Sequence, residues 1–249
     1  MNRFDDKRVF VTGAASGIGQ ATAARLASEG ASLYLTDLNE VGLADTAAQC
    51  AELGSDVEIR KLDVSDEAAV IAAIADCAST LGGIDVVCNI AGVLLLEHFE
   101  KTTVDQFNFL VNVNFLGTFL TCRAAMPYLI ESGGNIVNTS STSALAGAGY
   151  GAVYGATKGA VSALTRGIAV EFGKKGVRCN TVVPGEVSTA MTAAPELPED
   201  PDFTIMARQG PLNGAATPDQ IASVIAMLAS DDGAYINGAE IRADGGGLS

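Results

Sequence analysis

Hydrophobic positions along this chain fall into two alternating kinds of segment. Short β-branched runs, apolar without interruption, give way to longer alanine-rich stretches whose apolar positions recur with helical period. An uninterrupted apolar run suits a strand buried on both faces, and a 3.6-residue period suits a helix packed across it. The pattern predicts strands over 9–11, 33–37, 57–62, 84–88, 135–138, 177–183 and 240–242. Between them it predicts helices over 18–28, 40–53, 66–81, 103–131, 151–173 and 218–230. Such alternation implies an α/β fold: a doubly wound, seven-stranded parallel sheet with helices on both faces. Right-handed crossovers then gather the loops at the carboxyl ends of the strands, where a ligand would sit.

One stretch breaks the rhythm. Residues 188–216 contain Pro195, Pro198, Pro201 and Pro211, several acidic side chains and little strand periodicity. A connection that long, just after a strand's carboxyl end, reads as a lid. With no linker or repeat beyond the β-α units, residues 1–249 form one domain in this reading.

Composition narrows the function. A net charge of −14, with nothing more basic than Lys174-Lys175, argues against nucleic acid as a partner. His98 is the sole histidine, which removes histidine-rich metal sites and most Ser-His or Cys-His triads, so no metal is expected. The five cysteines, Cys50, Cys77, Cys88, Cys122 and Cys179, are scattered and form no CxxC pair. They read as buried, reduced thiols of a cytoplasmic protein. The first residues lack the apolar run of a signal peptide, and no stretch of eighteen apolar residues is free of charge or turn signals, so no membrane span is expected.

Thr12-Gly13-Ala14-Ala15-Ser16-Gly17-Ile18-Gly19 joins the first strand to the first helix. Glycines there let the backbone turn sharply and approach a pyrophosphate, and the helix N-terminus offers unpaired N–H groups to it. Asp37 ends the second strand, eighteen residues after Gly19. Its carboxylate is suited either to the ribose hydroxyls of NAD, repelling a 2′-phosphate, or to capping the helix that starts near Asn39. No Lys or Arg lies in 13–19 or at Leu38-Asn39, which favours NAD over NADP. Asp63 follows the third strand and Asn89-Ile90-Ala91-Gly92 the fourth, at the crevice expected for adenosine. Asp63 is equally suited to cap the helix near Asp66, and Asn89 to brace neighbouring strands.

Tyr154 and Lys158 lie four apart on a predicted helix and so share a face. A nearby ammonium stabilises phenolate and would let Tyr154 work as an acid and base near neutral pH. Ser141, after the fifth strand, is placed to hydrogen-bond a substrate oxygen. Asn114 on the preceding long helix can hold a water that passes protons onward from Lys158.

Taken together, these features resemble the short-chain dehydrogenase/reductase family. Its single-domain branch carries TGxxxGxG, here at 12–19, Asn-x-Ala-Gly at 89–92, Asn114, Ser141, YxxxK at 154–158 and Pro184-Gly185, in this order and spacing. The resemblance covers nearly the whole chain and implies a Rossmann-like domain with the catalytic tetrad Asn114, Ser141, Tyr154 and Lys158. It also implies that Gly13, Ser16, Gly17, Ile18 and Gly19 line the pyrophosphate. Asp37 and Leu38 would meet the adenine ribose; Asp63, Val64, Asn89, Ala91 and Gly92 would bracket the adenosine. Tyr154 and Lys158 would reach the nicotinamide ribose, while Pro184, Gly185, Val187 and Thr189 would meet the carboxamide and phosphate. Tyr150, Ser140 and Ser143 are out of register for these roles.

Two departures stand out. Asn-Ile-Ala-Gly follows Cys88 where Asn-Asn-Ala-Gly is usual, and Asn237 occupies a position where threonine is commoner. The family's last strand often forms an oligomer interface, which Glu240 and Arg242 would modify; a homotetramer or dimer is the expectation.

The implied reaction is reversible hydride transfer between NAD(H) and a secondary alcohol or ketone. Val93, Leu94, Leu95, Leu96, Ala144, Leu145, Ala148 and Met191 form a candidate apolar pocket for a hydrophobic or steroid-like small molecule; ordinary packing is the competing account. Alternatives are a 3-oxoacyl-thioester reductase and a non-catalytic NAD-binding sensor or scaffold.

Overall fold

Val9 and Val11 of the first strand face one side of the central sheet and Phe10 faces the other. This alternation, repeated in the neighbouring strands, divides the interior into two apolar layers. The protein's structure is a computed structural model that describes residues 2–193, 195–207 and 210–249. Seven parallel strands form one sheet: β1 (Arg8–Thr12), β2 (Ser32–Asp37), β3 (Val57–Lys61), β4 (Val86–Asn89), β5 (Asn135–Thr139), β6 (Arg178–Pro184) and β7 (Glu240–Ala243). Their spatial order is β3-β2-β1-β4-β5-β6-β7, so the order reverses between β1 and β4. That reversal opens a crevice at the carboxyl ends of those two strands.

On one face, α1 (Gly17–Ala27), α2 (Glu40–Glu52) and α9 (Pro218–Ala229) bring Leu26, Leu43, Ile221 and Ile225 against Leu33, Leu35, Val137 and Val182. On the other, α3 (Glu67–Leu81), α5 (Gly117–Ser132) and α6 (Ala152–Phe172) bring Ile74, Leu129 and Ile168 against Phe10, Tyr34, Val87 and Ile136. Each of these fully buried side chains contributes about 1.5–3 kcal/mol.

Predicted and observed boundaries differ by a residue or two, with one larger difference. The stretch expected as one helix over 103–131 is α4 (Val104–Leu110), a π-helical turn over Val111–Leu116, and α5. Its 29-residue run is apolar enough by length to cross a membrane, but half of its most apolar window is packed inside the fold, in the layer beneath the sheet.

Residues 188–216 hold α7 (Ala190–Ala193) and α8 (Phe203–Met206). Ala194, Arg208 and Gln209 of this stretch lie outside the described residues. A bridge between Val187 and Ala216 brings its two ends together. Asn237, the departure near the last strand, accepts from Cys179 N–H and donates to the Ala169 carbonyl, tying β6 to α6.

Candidate active site

The glycine-rich turn is built for close approach. Gly13 has φ +70°, and a Cβ there would stand 2.7 Å from the backbone nitrogen of Ala91. Thr12 Oγ1 accepts from the N–H groups of Ile90 (3.1 Å) and Ala91 (3.2 Å), fixing the turn after β4 to the end of β1. A side chain on Gly19 would collide with the Gly13 carbonyl, so α1 can start directly under the turn. Asn39 and Asp66 cap α2 and α3 with side-chain hydrogen bonds, whereas Ser16 makes none at the start of α1. The first N–H groups of α1 therefore stay available to an anion.

Both open questions about capping resolve. Asn39, not Asp37, caps α2; Asp37 accepts from Ala15 N–H (3.1 Å) and Asn39 N–H (2.9 Å) at the lip of the cleft. Asp66, not Asp63, caps α3; Asp63 is exposed and accepts from the N–H and hydroxyl of Ser65.

One cleft of about 370 Å³ gathers almost every nominated residue. Gly13, Ser16, Gly17, Ile18, Gly19, Asp37, Leu38, Asp63, Val64, Ala91 and Gly92 line its cofactor end; Ser141, Tyr154, Lys158, Pro184, Gly185, Val187 and Thr189 line the other. At that far end the Lys158 side chain is buried and donates to the Thr139 carbonyl at 3.0 Å. Burial pushes its pKa down to about 8. Tyr154 stands one helical turn earlier, with Lys158 Nζ 5.9 Å from its ring centre. Burial raises the Tyr154 pKa, and a side-chain hydrogen bond with Ser141 offsets part of that rise. Burial is the larger influence on the phenol, and the Lys158 ammonium is engaged with the Thr139 carbonyl.

Known proteins match this arrangement over nearly the full length. A family model described as Enoyl-(Acyl carrier protein) reductase matches residues 13–247. Meso-2,3-butanediol dehydrogenase of Serratia marcescens is 40% identical over 245 residues, covering 98% of this chain and 95% of that protein. A short chain dehydrogenase from Burkholderia cenocepacia J2315, solved in complex with NADP, is 31% identical with a TM-score of 0.91, and each chain is covered in full. Another from Mycobacterium paratuberculosis, bound to NAD, is 27% identical with a TM-score of 0.92 and 98% of each chain covered.

The chain belongs to the short-chain dehydrogenase/reductase family. It is an oxidoreductase, and its cofactor is a nicotinamide dinucleotide.

Within this family member, two nominated residues do not line the cleft. Asn89 turns inward, donating to Asn138 Oδ1 at 2.8 Å and to Cys122 Sγ at 3.3 Å. The bracing role holds for its side chain, and the residues that follow it, Ile90, Ala91 and Gly92, reach the crevice. Asn114, fully buried in the π-helical turn, accepts from Val93 N–H (2.8 Å) and donates to Val93 O (2.9 Å) and Thr157 Oγ1 (3.2 Å). Both amide protons are committed, so its side chain locks the 92–93 turn against α6.

Of the apolar candidates, Val93 and Met191 line the cleft; the other six do not. Phe109 and Val113, from the helical run before β5, line it instead. Sequence reasoning also passed over Thr139, whose carbonyl holds Lys158 and whose buried hydroxyl has no partner. A backbone carbonyl leaves no trace in residue type, so no signal pointed to it. Tyr150, excluded from catalysis by spacing, adopts φ +60° and accepts through its hydroxyl from Asp202 N–H at 2.7 Å. Its ring meets His98 edge-on at 5.0 Å, and His98 Nε2 lies 2.8 Å from the Glu199 carbonyl. This pair joins the 188–216 segment to the connections that follow β4 and β5.

Proposed function

We propose that the protein exchanges hydride between NAD(H) and a neutral secondary alcohol or its ketone. The observation that carries this reading is the convergence of the Ser141 and Tyr154 hydroxyls at the cleft end opposite Asp37. Among the described residues the charged side chains lining the cleft are Asp37, Asp63 and Lys158; beside Ser141 and Tyr154 the lining includes Val93, Phe109, Val113 and Met191. Such a surface suits an uncharged small molecule, since its one cation among the described residues, Lys158, is already held by the Thr139 carbonyl. The Serratia relative's named substrate, a butanediol with secondary hydroxyls, fits that chemistry.

The residues present fit a dinucleotide. Gly13 and Gly19 form a cradle that a Cβ would fill, α1 presents free N–H groups, and Asp37 stands at the lip of the cleft where a ribose would lie. Pro184, Gly185, Val187 and Thr189 would hold the nicotinamide half. When bound, the cofactor supplies the hydride donor or acceptor. Ser141 orients the substrate oxygen by hydrogen bonding. Tyr154 gives its phenolic proton to that oxygen as the carbonyl carbon becomes tetrahedral, and takes the proton back in the oxidative direction. Lys158 would hold the nicotinamide ribose and, one helical turn along, orients Tyr154. Asn114 holds the turn that shapes the pocket wall at Val93.

Asp37, with no basic side chain among the described residues at the cofactor end of the cleft, favours NAD. The 188–216 segment acts as a lid over the substrate. Five free, buried cysteines support a cytoplasmic site of action. Exposed Phe107, Phe119 and Val170 on the helices flanking β5 support a dimer or tetramer, to be read by light scattering.

A panel of secondary alcohols and ketones, run with NAD(H) and NADP(H) side by side, tests the reading. Turnover of neutral alcohols with NAD preference is expected. The family model's description brings a second reading, an acyl-thioester reductase. Turnover confined to acyl thioesters would replace our reading with that one, and NADH binding without any turnover would indicate a sensor.

A further inference from the structure

Ser140 is 2% exposed, turns its hydroxyl towards α6, and precedes the candidate catalytic hydroxyl by one residue. The chain stays extended through Ser141, with Ser140 N–H bonded to the Val182 carbonyl, so successive side chains point to opposite sides. Asn138 and Ser140 therefore both face α6, while Ser141 faces Tyr154. Asn138 donates to Thr165 Oγ1 at 2.8 Å. Ser140 donates to the backbone carbonyl of Lys158 at 2.9 Å and accepts from Ser162 Oγ at 3.2 Å. Residues 158, 162 and 165 fall on one face of a helix, so these contacts form a polar seam inside an otherwise apolar contact.

The seam has a particular effect on Lys158. The residue is held at both ends by consecutive residues of one strand: its Nζ by the Thr139 carbonyl, and its backbone carbonyl by the Ser140 hydroxyl. The third residue in line, Ser141, meets Tyr154. Apolar packing between a helix and a sheet resists separation but opposes sliding only weakly. A directional hydrogen bond opposes sliding, and a slip of one residue along the helix would move Lys158 by about 1.5 Å.

We propose that Ser140, supported by Ser162, is a positioning residue that sets Lys158 and Tyr154 against Ser141. The inference rests on the catalytic assignment above. Ser162 is the lesser member, because its loss leaves the Ser140–Lys158 bond intact. Loss of the Ser140 hydroxyl leaves Ser162 able to bond back to the Lys158 carbonyl within its own helix, so the fold is retained.

The experiment compares S140A, S140T, S140C, S162A and Y154F, using NADH with acetoin as the probe ketone and NADH fluorescence for binding. Y154F must lose turnover; if it does not, the catalytic assignment fails, whatever the serines do. With Y154F inactive, S140A is expected to lose about tenfold in kcat with the acetoin KM within about twofold, and to shift the alkaline limb of the pH–rate profile. S162A is expected to stay within about twofold of the parent, and S140T to recover most of the loss. S140C, of similar reach but a weak donor, is expected to resemble S140A, and it serves as the test should S140A not fold. A folded S140A or S140C with the parental kcat and pH profile would overturn the proposal, even if its melting temperature fell.

Discussion

Lys158 donates through Nζ to the carbonyl oxygen of Thr139 at 3.0 Å, in a site from which water is almost wholly excluded. Burial lowers its pKa from 10.5 to about 8. Below about pH 8 both folded and unfolded chains hold the proton, and the folded chain bears the full cost of the buried charge. Between the two values the unfolded chain keeps a proton that the folded chain has released, so this group's contribution to stability becomes more favourable as pH rises. Cofactor-free Lys158→Met is therefore expected to be more stable than the parent at neutral pH by on the order of 3 kcal/mol. Urea unfolding of both proteins should show that gap closing towards about pH 10. A gap that stays constant over this range would refute the assignment.

Tyr154→Phe is expected to reduce turnover by about a thousandfold or more while leaving NADH affinity within about twofold. Because burial holds the phenol protonated, the parent enzyme should reduce ketones across neutral pH. Oxidation needs phenolate and should accelerate as the medium becomes alkaline. Parallel pH–rate profiles in the two directions would show that Tyr154 is not the acid and base.

Asp37→Ser removes the carboxylate at the ribose end of the cleft. The ratio of kcat/KM for NADH to that for NADPH is expected to fall by about tenfold to a hundredfold, roughly 1.4–2.8 kcal/mol. Lys61 lies beside Asp37 in the sheet register and is engaged by Glu40 at 2.8 Å. Adding Glu40→Gln should free Lys61 for a 2′-phosphate and lower the ratio further. An unchanged ratio would remove Asp37 from cofactor selection.

Tyr150→Phe deletes the acceptor that holds Asp202 N–H. The hydrogen bond is worth about 1 kcal/mol, so the KM for ketone is expected to rise about fivefold with the NADH KM unchanged. Equal changes in both constants would place the 199–205 stretch outside substrate closure.

Much of this architecture was legible because its physics is local and repetitive. Strands buried on both faces must be apolar throughout, and the runs around Val9, Leu33 and Val86 announced themselves for that reason. Glycines at 13 and 19 are similarly demanded by close approach. What escaped reading depended on direction rather than type. Nothing in the identity of Asn89 or Asn114 says that its amide turns inward to Cys122 and Asn138, or to Val93 and Thr157. Strand alternation puts Ser140 and Ser141 on opposite sides, but only the placement of α6 shows that the buried one meets Lys158. Nor could apolar periodicity reveal the π-helical turn, since one extra residue inside a long apolar helix leaves the composition untouched.

That turn over Val111–Leu116 makes chain length itself informative. Each residue advances an α-helix by about 100°, so the wider turn offsets the azimuth of α5 relative to α4. A single-codon deletion within 111–116 would restore a regular helix and satisfy every local preference. It would also swing one half of the run around its axis and carry Asn114 away from Val93. The segment should therefore tolerate substitution at its exposed position, Asn112, far better than any change in its residue count.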